Sequence, residues 1–555
     1  MNKKVCSFPI LFALLALLIG TCAVVFPASA QAAPTSTGSI TVSGTVASSY
    51  DAYRIFSANV VDGDNDAKIA TDLAWASDAA RDAALPVLHS AGMPKSQTTA
   101  QEAAEWLNTD SHLTSALSAQ LARSLQSSDA ESVALNAGTT AELSCGYWLI
   151  VADDAAISQD EAGTAPIMAL VGGSAVTVKP KAATPKVVKH VLEDSTAAWQ
   201  KAADATVADD LYWRLSATVP AGLTAYDTYT VQFVDTMSAG LDLSMVAASM
   251  RVYVAAGADG GFDAVSAGKD GRAGTESAKG WTDITAQCAT KVAADGTFTV
   301  RTGDLIAALG GADAFTVGAR VVAVYNAPLG SACNHGIAKG NPNEVYLRYP
   351  RSPLADQSGD AGFARTPSDD ACAYTWDLAL TKRGSDGDKP LAGAVLSIAD
   401  DRGRTLAADG TWDAEGKATV TTGEDGRVAV SGVDSGKLEV RELKAPKGYT
   451  AFEGTRSVTV KAEGLDVDQV AAAKPKLTIT AESPLRADSA DGSTGSLEAS
   501  LINTPTGTPP SITTGGFMPS TGDMAMYAAA AAAVAGAALI VVALLVKRGG
   551  GSHKE

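Results

Sequence analysis

Histidine is scarce in this 555-residue chain, and the five present (His89, His112, His190, His335 and His553) share no metal-ligand or triad spacing. Neither G-x-S-x-G nor a Gly-rich phosphate loop occurs in a supporting context, so no enzyme acting on an external substrate is expected and no cofactor is implied. Basic charge is also short: 43 Lys and Arg against 61 Asp and Glu leave a net −18, with the acids spread along the chain. That balance argues against nucleic acid or anionic lipid as the main partner. Asp62, Asp64 and Asp66 open like a calcium loop, but Ala67 stands where the turn needs Gly and Leu73 where a bidentate Glu belongs. A solvated acidic turn is expected there, and no metal. Cysteine is sparse too, with Cys145, Cys288, Cys333 and Cys372 left beyond Cys6 and Cys22 near the N-terminus. In an oxidising setting four cysteines suggest up to two disulfides, and a bridge among Cys288, Cys333 and Cys372 is expected because they fall in one region.

What is present is globular. Hydrophobic residues make up 46% and charged residues 19%, which excludes a disordered or collagen-like chain, and the length suggests three or four domains. Lys3 and Lys4 precede an apolar run from Ile10 to Ile19 and then Ala28-Ser29-Ala30, the pattern of a secretion signal over residues 1–30, with cleavage after Ala30 or Ala33. At the other end, residues 524–546 are apolar and uncharged, long enough to cross a bilayer. Lys547, Arg548 and Lys554 follow, placing the tail 547–555 in the cytoplasm and everything before the helix outside. Just ahead stand Met518-Pro519-Ser520-Thr521-Gly522. Pentapeptide, spanning helix and basic tail together resemble the LPxTG cell-wall sorting signal of Gram-positive surface proteins, with Met518 in place of Leu. The resemblance implies that a sortase cleaves between Thr521 and Gly522 and holds Thr521 as a thioester.

Between these ends the sequence reads as mainly β. The first domain, 31–178, has strand-like runs at Ser39 to Val46, Tyr50 to Val61, Gly146 to Val151 and Ala175 to Val178, around an Ala-rich helical insertion from Ala70 to about Gln126. Thr99-Ala100-Gln101-Glu102 has capping-box form. A Pro/Lys linker, 179–186, leads to a second β-rich domain, 187–350. A Ser/Asp/Pro/Gly linker, 351–373, precedes a third, 374–503, and a tether, 504–517, follows. Short, closely spaced strands suggest tandem immunoglobulin-like sandwiches.

Strand parity carries the chemistry, because residues two apart share a face. In the third domain Leu378, Leu380 and Lys382 share a face, as do Leu438, Val440 and Glu442, and Leu497, Ala499, Leu501 and Asn503. The second domain repeats the order: Val187, Lys189 and Val191; Val231, Phe233 and Asp235; Asn343, Val345, Leu347 and Tyr349. A buried lone ammonium or carboxylate is costly, so such groups pair, neutralise or react. Either the trios are buried ion pairs with a hydrogen-bonded Asn, or burial yields a neutral amine that attacks an amide polarised by a protonated acid, giving a Lys–Asn isopeptide bond.

The residues Leu438-Glu439-Val440-Arg441-Glu442 through Ala445-Pro446-Lys447-Gly448-Tyr449 resemble the E-box of sortase-assembled pilins, with Glu442 at its glutamate. Leu501-Ile502-Asn503-Thr504-Pro505 is similar to the closing strand of their CnaB-type C-terminal domain, and the segments around Asp235 and Asn343 resemble the middle domain of backbone pilins. The resemblance implies bonds from Lys189 to Asn343 promoted by Asp235, and from Lys382 to Asn503 promoted by Glu442. Val176-Thr177-Val178-Lys179-Pro180-Lys181 resembles the pilin motif whose lysine attacks the sortase thioester. That implies Lys181 as the intersubunit nucleophile, with Lys179 and Lys186 as competing candidates. The first domain opens with Ser39-Ile40-Thr41-Val42 and lacks a matching lysine, so no internal bond is expected in it. The family implies a wall-attached pilus shaft on the cell surface, with sortase, identical subunits, minor pilins and peptidoglycan as partners. A wall-anchored or tip adhesin is the competing reading.

Overall fold

A computed structural model describes residues 36–507 apart from 45, 65–66, 110, 182 and 258–279. The expected secretion signal, the sorting motif with Thr521 and the apolar segment 524–546 lie outside the described residues. No helix among the described residues is long and apolar enough to cross a membrane.

The chain is mainly β, and the described residues form six sheets stacked as three pairs. In the first pair, Thr37–Val42 lies between Thr140–Ser144 and Val176–Val178, while Ser49–Asp62 is flanked by Lys68–Trp75 and Gly146–Ala152. Three helices interrupt it, each started by a hydroxyl side chain that accepts an orphan backbone N–H: Ser77 before Asp78–Ser90, Thr99 before Ala100–Asn108 and Thr114 before Ser115–Gln126. The Thr99–Glu102 capping box is formed in full. Small residues at helical spacing (Ala84, Leu88, Ala103, Leu107, Leu121, Leu125) pack this insertion onto Ile55, Phe56, Leu149 and Val151. The insertion begins later than the composition suggests. Residues 70–75 belong to the strand Lys68–Trp75, because the hairpin register with Ser49–Asp62 (Val60↔Ala70, Val61↔Ile69) overrides the local helical preference of alanine.

The second domain packs a six-stranded sheet, including Val187–Glu193, Tyr212–Thr218 and Arg320–Asn326, against a seven-stranded sheet including Gln232–Met237, Asn341–Pro350 and Asp369–Tyr374. Residues 351–373 therefore do not form a plain linker. Phe363–Arg365 and Asp369–Tyr374 are strands of the second domain, paired to Asn341–Pro350, and Ala371 and Ala373 are buried in its core. A short strand with Ala on its inward face carries too little hydrophobic signal to stand out from its polar flanks. The remainder straps the first domain to the second. Gly163 N–H donates to Arg351 O (2.6 Å), Arg351 donates to Ile157 O (2.9 Å), and Arg365 N–H donates to Gln159 O (2.7 Å).

The third domain begins at Trp376–Gly384, which lies between Arg427–Val433 and, in parallel, Ser496–Pro505. A second sheet, including Val395–Ala399, Gly436–Lys444 and Thr455–Glu463, covers it. Trp213 and Trp376 are fully buried at the centres of the second and third cores.

The expected disulfide does not form. Cys145, Cys288, Cys333 and Cys372 are all free thiols. Cys333 packs in the second core and Cys372 in the third, while Cys288 follows the short turn Thr285–Gln287 and donates to Ile284 O. Proximity in sequence has not placed them on a common face. Burial pushes Cys288 and Cys372 up to about 11, so both stay protonated and inert at neutral pH.

Candidate functional site

The strand alternation carries each singled-out side chain inward. Lys189, Asp235 and Asn343 have no exposed surface, nor does Lys382, and Glu442 and Asn503 are buried.

In the second domain, Asp235 and Asn343 come from adjacent strands of one sheet, where Met237 pairs with Asn343 and Asp235 with Val345. Lys189 reaches them from the facing sheet. Its ammonium donates to Asp235 Oδ2 and, at 2.9 Å, to the hydroxyl of Tyr325. That hydroxyl donates to Asp235 Oδ2 (3.2 Å) and accepts from Asn343 Nδ2 (2.9 Å). Tyr325 thus touches all three members of the trio. Sequence reasoning missed it, although it follows Val321 and Ala323 on the inward face of an otherwise aliphatic strand. Trp213 and Tyr325 each present a ring 5.6 Å from the Lys189 nitrogen, closing the site to water. Burial drags the lysine from 10.5 down to about 8, against the opposing pull of Asp235, and lifts Asp235 from 3.8 to about 6. Two acceptors in this buried site, Asp235 Oδ1 and Asn343 Oδ1, have no hydrogen-bond partner in the protein.

The third domain assembles the same trio from a different pairing. Lys382 and Asn503 lie on neighbouring parallel strands, where Lys382 pairs with Leu501 and Gly384 with Asn503, and Glu442 comes from the facing sheet. Lys382 Nζ is 3.6 Å from Glu442 Oε1 and 3.3 Å from Leu501 O. Asn503 Nδ2 donates to both Glu442 oxygens (2.9 and 3.0 Å), and Phe452 N–H donates to Oε2 (3.1 Å). Again the amide oxygen, Asn503 Oδ1, is buried without a partner. Burial lowers Lys382 to about 8, with Glu442 opposing the shift. Gly426 (φ +73°) closes the turn beside the lysine and accepts its N–H at 2.7 Å; a Cβ there would sit 2.7 Å from Lys382 O.

Lys181 lies elsewhere. It follows the strand Val176–Val178, in which Val178 is buried and Thr177 exposed, and it is exposed, as are Lys179 and Lys186. In the first domain the inward positions of Thr37–Val42 are Gly38, Ile40 and Val42, with no lysine among them.

Residues 377–474 match the SpaA prealbumin-like fold domain family. A curated relative, the trypsin-resistant surface T6 protein of Streptococcus pyogenes, is 30% identical over 129 residues, which cover 22% of this chain and 22% of that protein. Among solved structures, the T6 backbone pilin of serotype M6 S. pyogenes aligns at TM-score 0.45 and 17% identity over 85% of this chain and 98% of its own. The major pilin SpaD of Corynebacterium diphtheriae aligns at 0.41 and 15% over 86% and 100%. BcpA, the major pilin subunit of Bacillus cereus, aligns at 0.39 and 10% over 85% and 99%. These three solved structures, of a backbone pilin and two major pilins, are likenesses of fold.

Proposed function

We propose that this chain is the shaft subunit of a covalently polymerised cell-surface pilus, braced internally by Lys189–Asn343 and Lys382–Asn503 isopeptide bonds. The observation that carries the reading is the repeated, buried trio of lysine, acid and asparagine, each with an amide oxygen left without a protein donor. An unreacted buried ion pair gains little against a hydrophobic replacement, so two of them in successive domains call for another use. In each trio a proton passed from ammonium to carboxylate leaves a free amine and an acid able to donate to the orphaned amide oxygen. The Nζ–Cγ bond forms and the Cγ–Nδ2 bond breaks. The amine proton leaves with the departing ammonia through Asp235 or Glu442, and both charges disappear from the core.

Between subunits, Lys181 is the nucleophile on a Thr521 thioester held by sortase. Its exposure and its place three residues after a short strand suit attack on a group delivered by another protein. Export by the N-terminal signal, retention by the C-terminal apolar segment, and final attachment to peptidoglycan alongside minor pilins complete the scheme. The three domains adopt immunoglobulin-like, CnaB-type sandwiches in it, and the curated surface relative is consistent with it.

The test is an immunoblot of wall extracts boiled in detergent, from cells carrying wild type or Lys181→Ala. A ladder in wild type that collapses to monomer in the variant supports the shaft. A single wall-linked band in wild type replaces it with an anchored adhesin.

A further inference from the structure

Just beside Lys189 the first strand of the second domain loses its neighbour. Ala198–Gln200 pairs with Val187–Glu193 only from Glu193 to Val191, and the chain then crosses to the other sheet as Ala202–Asp204. At Lys189, two residues beyond the last pair, that edge has no strand to bond with. A second ion pair fills the gap. Lys189 N–H donates to Asp369 Oδ2 (2.6 Å), and Lys189 O accepts from Lys201 Nζ (2.9 Å). Lys201 and Asp369 are themselves joined, and Lys201 also donates to Asp370 O (3.1 Å). Lys201 sits at the bend between the two sheets and is 6% exposed. One salt bridge therefore holds both backbone polar groups of a single residue, and that residue is the buried lysine of the trio.

The third domain holds its lysine with backbone alone. Lys382 N–H donates to Gly426 O (2.7 Å) and Lys382 O accepts from Leu391 N–H (2.9 Å). The two lysines thus differ in how their backbone is held, and both occur in the same chain.

We infer that the Lys201–Asp369 ion pair is a positioning clamp for Lys189, so that formation of the Lys189–Asn343 bond depends on it while formation of the Lys382–Asn503 bond does not. This rests on the isopeptide reading above. The clamp fixes the backbone from which a four-carbon side chain must bring its nitrogen onto Asn343 Cγ, and a misplacement of about 1 Å at a reacting centre costs up to about a hundredfold in rate. The clamp is also electrically balanced. Burial and Asp235 dominate the lysine's acidity, and beyond them Asp369 raises its pKa while Lys201 lowers it. The other titratable groups facing the site are Tyr325 from the strand Arg320–Asn326 and Glu344, which acts on Asp235. Removing one half of the clamp leaves the other half's charge uncancelled beside the nucleophile.

The experiment uses the whole chain made by cell-free translation, with loss of one ammonia at each trio followed over time by mass spectrometry of the cross-linked peptides. Lys201→Met and Asp369→Asn are expected to slow the second-domain bond about ten- to a hundredfold and leave the third-domain bond at its wild-type rate. The pH profile of the second-domain rate moves upward for K201M and downward for D369N, opposite shifts that a merely structural role would not produce. The conservative variants Lys201→Arg and Asp369→Glu keep a donor for Lys189 O and an acceptor for Lys189 N–H, and they are expected to retain part of the rate even where K201M or D369N folds poorly. Wild-type rates in both single variants, or equal slowing with no opposed pH shift, overturn the clamp. Absence of ammonia loss at Lys189 and Asn343 in wild type overturns the isopeptide reading itself, and the clamp with it.

Discussion

Replacing Glu442 by Gln keeps the volume of the third-domain trio and an acceptor for the Phe452 N–H, but removes the group that can take the amine proton. The Lys382–Asn503 bond is then not expected to form, and the cross-link is the main thing lost. Its worth follows from the chain it closes. The loop from Lys382 to Asn503 is about 120 residues long, and the loop-closure entropy of such a loop is about 5 kcal/mol at room temperature on the chain-entropy account. A domain of roughly 130 residues unfolds with about 2.1 cal/mol/K per residue, so that loss lowers its midpoint by roughly 15–20 °C. Differential scanning calorimetry of wild type and E442Q reads the shift, with intact mass showing one ammonia retained in the variant. The second-domain transition stays in place and serves as the internal reference. A variant that retains the ammonia yet melts within about 5 °C of wild type would refute the reasoning, because the cross-link would then constrain little.

In the second domain the acylation rate is expected to be bell-shaped in pH, with limbs near 6 and 8, because only between those values do Asp235 and Lys189 share one proton; a flat profile by timed mass spectrometry contradicts this. In a chain that cannot react, Asn343→Leu, the same shifts set the folding stability. Lys189 binds its proton less tightly when folded, so stability rises as the pH climbs from about 8 towards 10.5, whereas Asp235 binds its proton more tightly when folded, so stability falls as the pH climbs from 3.8 towards about 6. Urea titrations across pH check both signs. Under force, the proposed Lys189–Asn343 bond would shield the chain between those residues but leave residues 344–374 outside the loop, including the strand Asp369–Tyr374. Single-molecule pulling of the second domain is expected to release no more than about 100 Å, at roughly 3.5 Å per extended residue, and a step several times longer shows the bond absent.

Much of this was legible in the sequence because a strand has a period of two. Six polar residues within or at the ends of apolar alternations all turned up buried, since shifting any of them by one position would have moved a whole hydrophobic face into water. The helical insertion was legible through its Ala and Leu spacing and the Thr99 cap, but its start was not, because hairpin pairing with Ser49–Asp62 outweighed alanine's preference. What parity cannot say is which sheet a strand joins. The two domains carry lysine, acid and asparagine in the same order, yet in the second the acid and the asparagine are neighbours and the lysine crosses the core, while in the third the lysine and the asparagine are neighbours and the acid crosses. The hidden residues follow from that difference. A lysine that meets the acid from across the core still needs a bridge to the asparagine, and the Tyr325 hydroxyl supplies it. A lysine on a strand whose edge partner has left needs its backbone held by other means, and Lys201 and Asp369 do so from positions 168 residues apart, one at a bend and one in a stretch that reads as a linker. The chemistry is local to three side chains, but its positioning belongs to the topology, and chain order alone does not determine that.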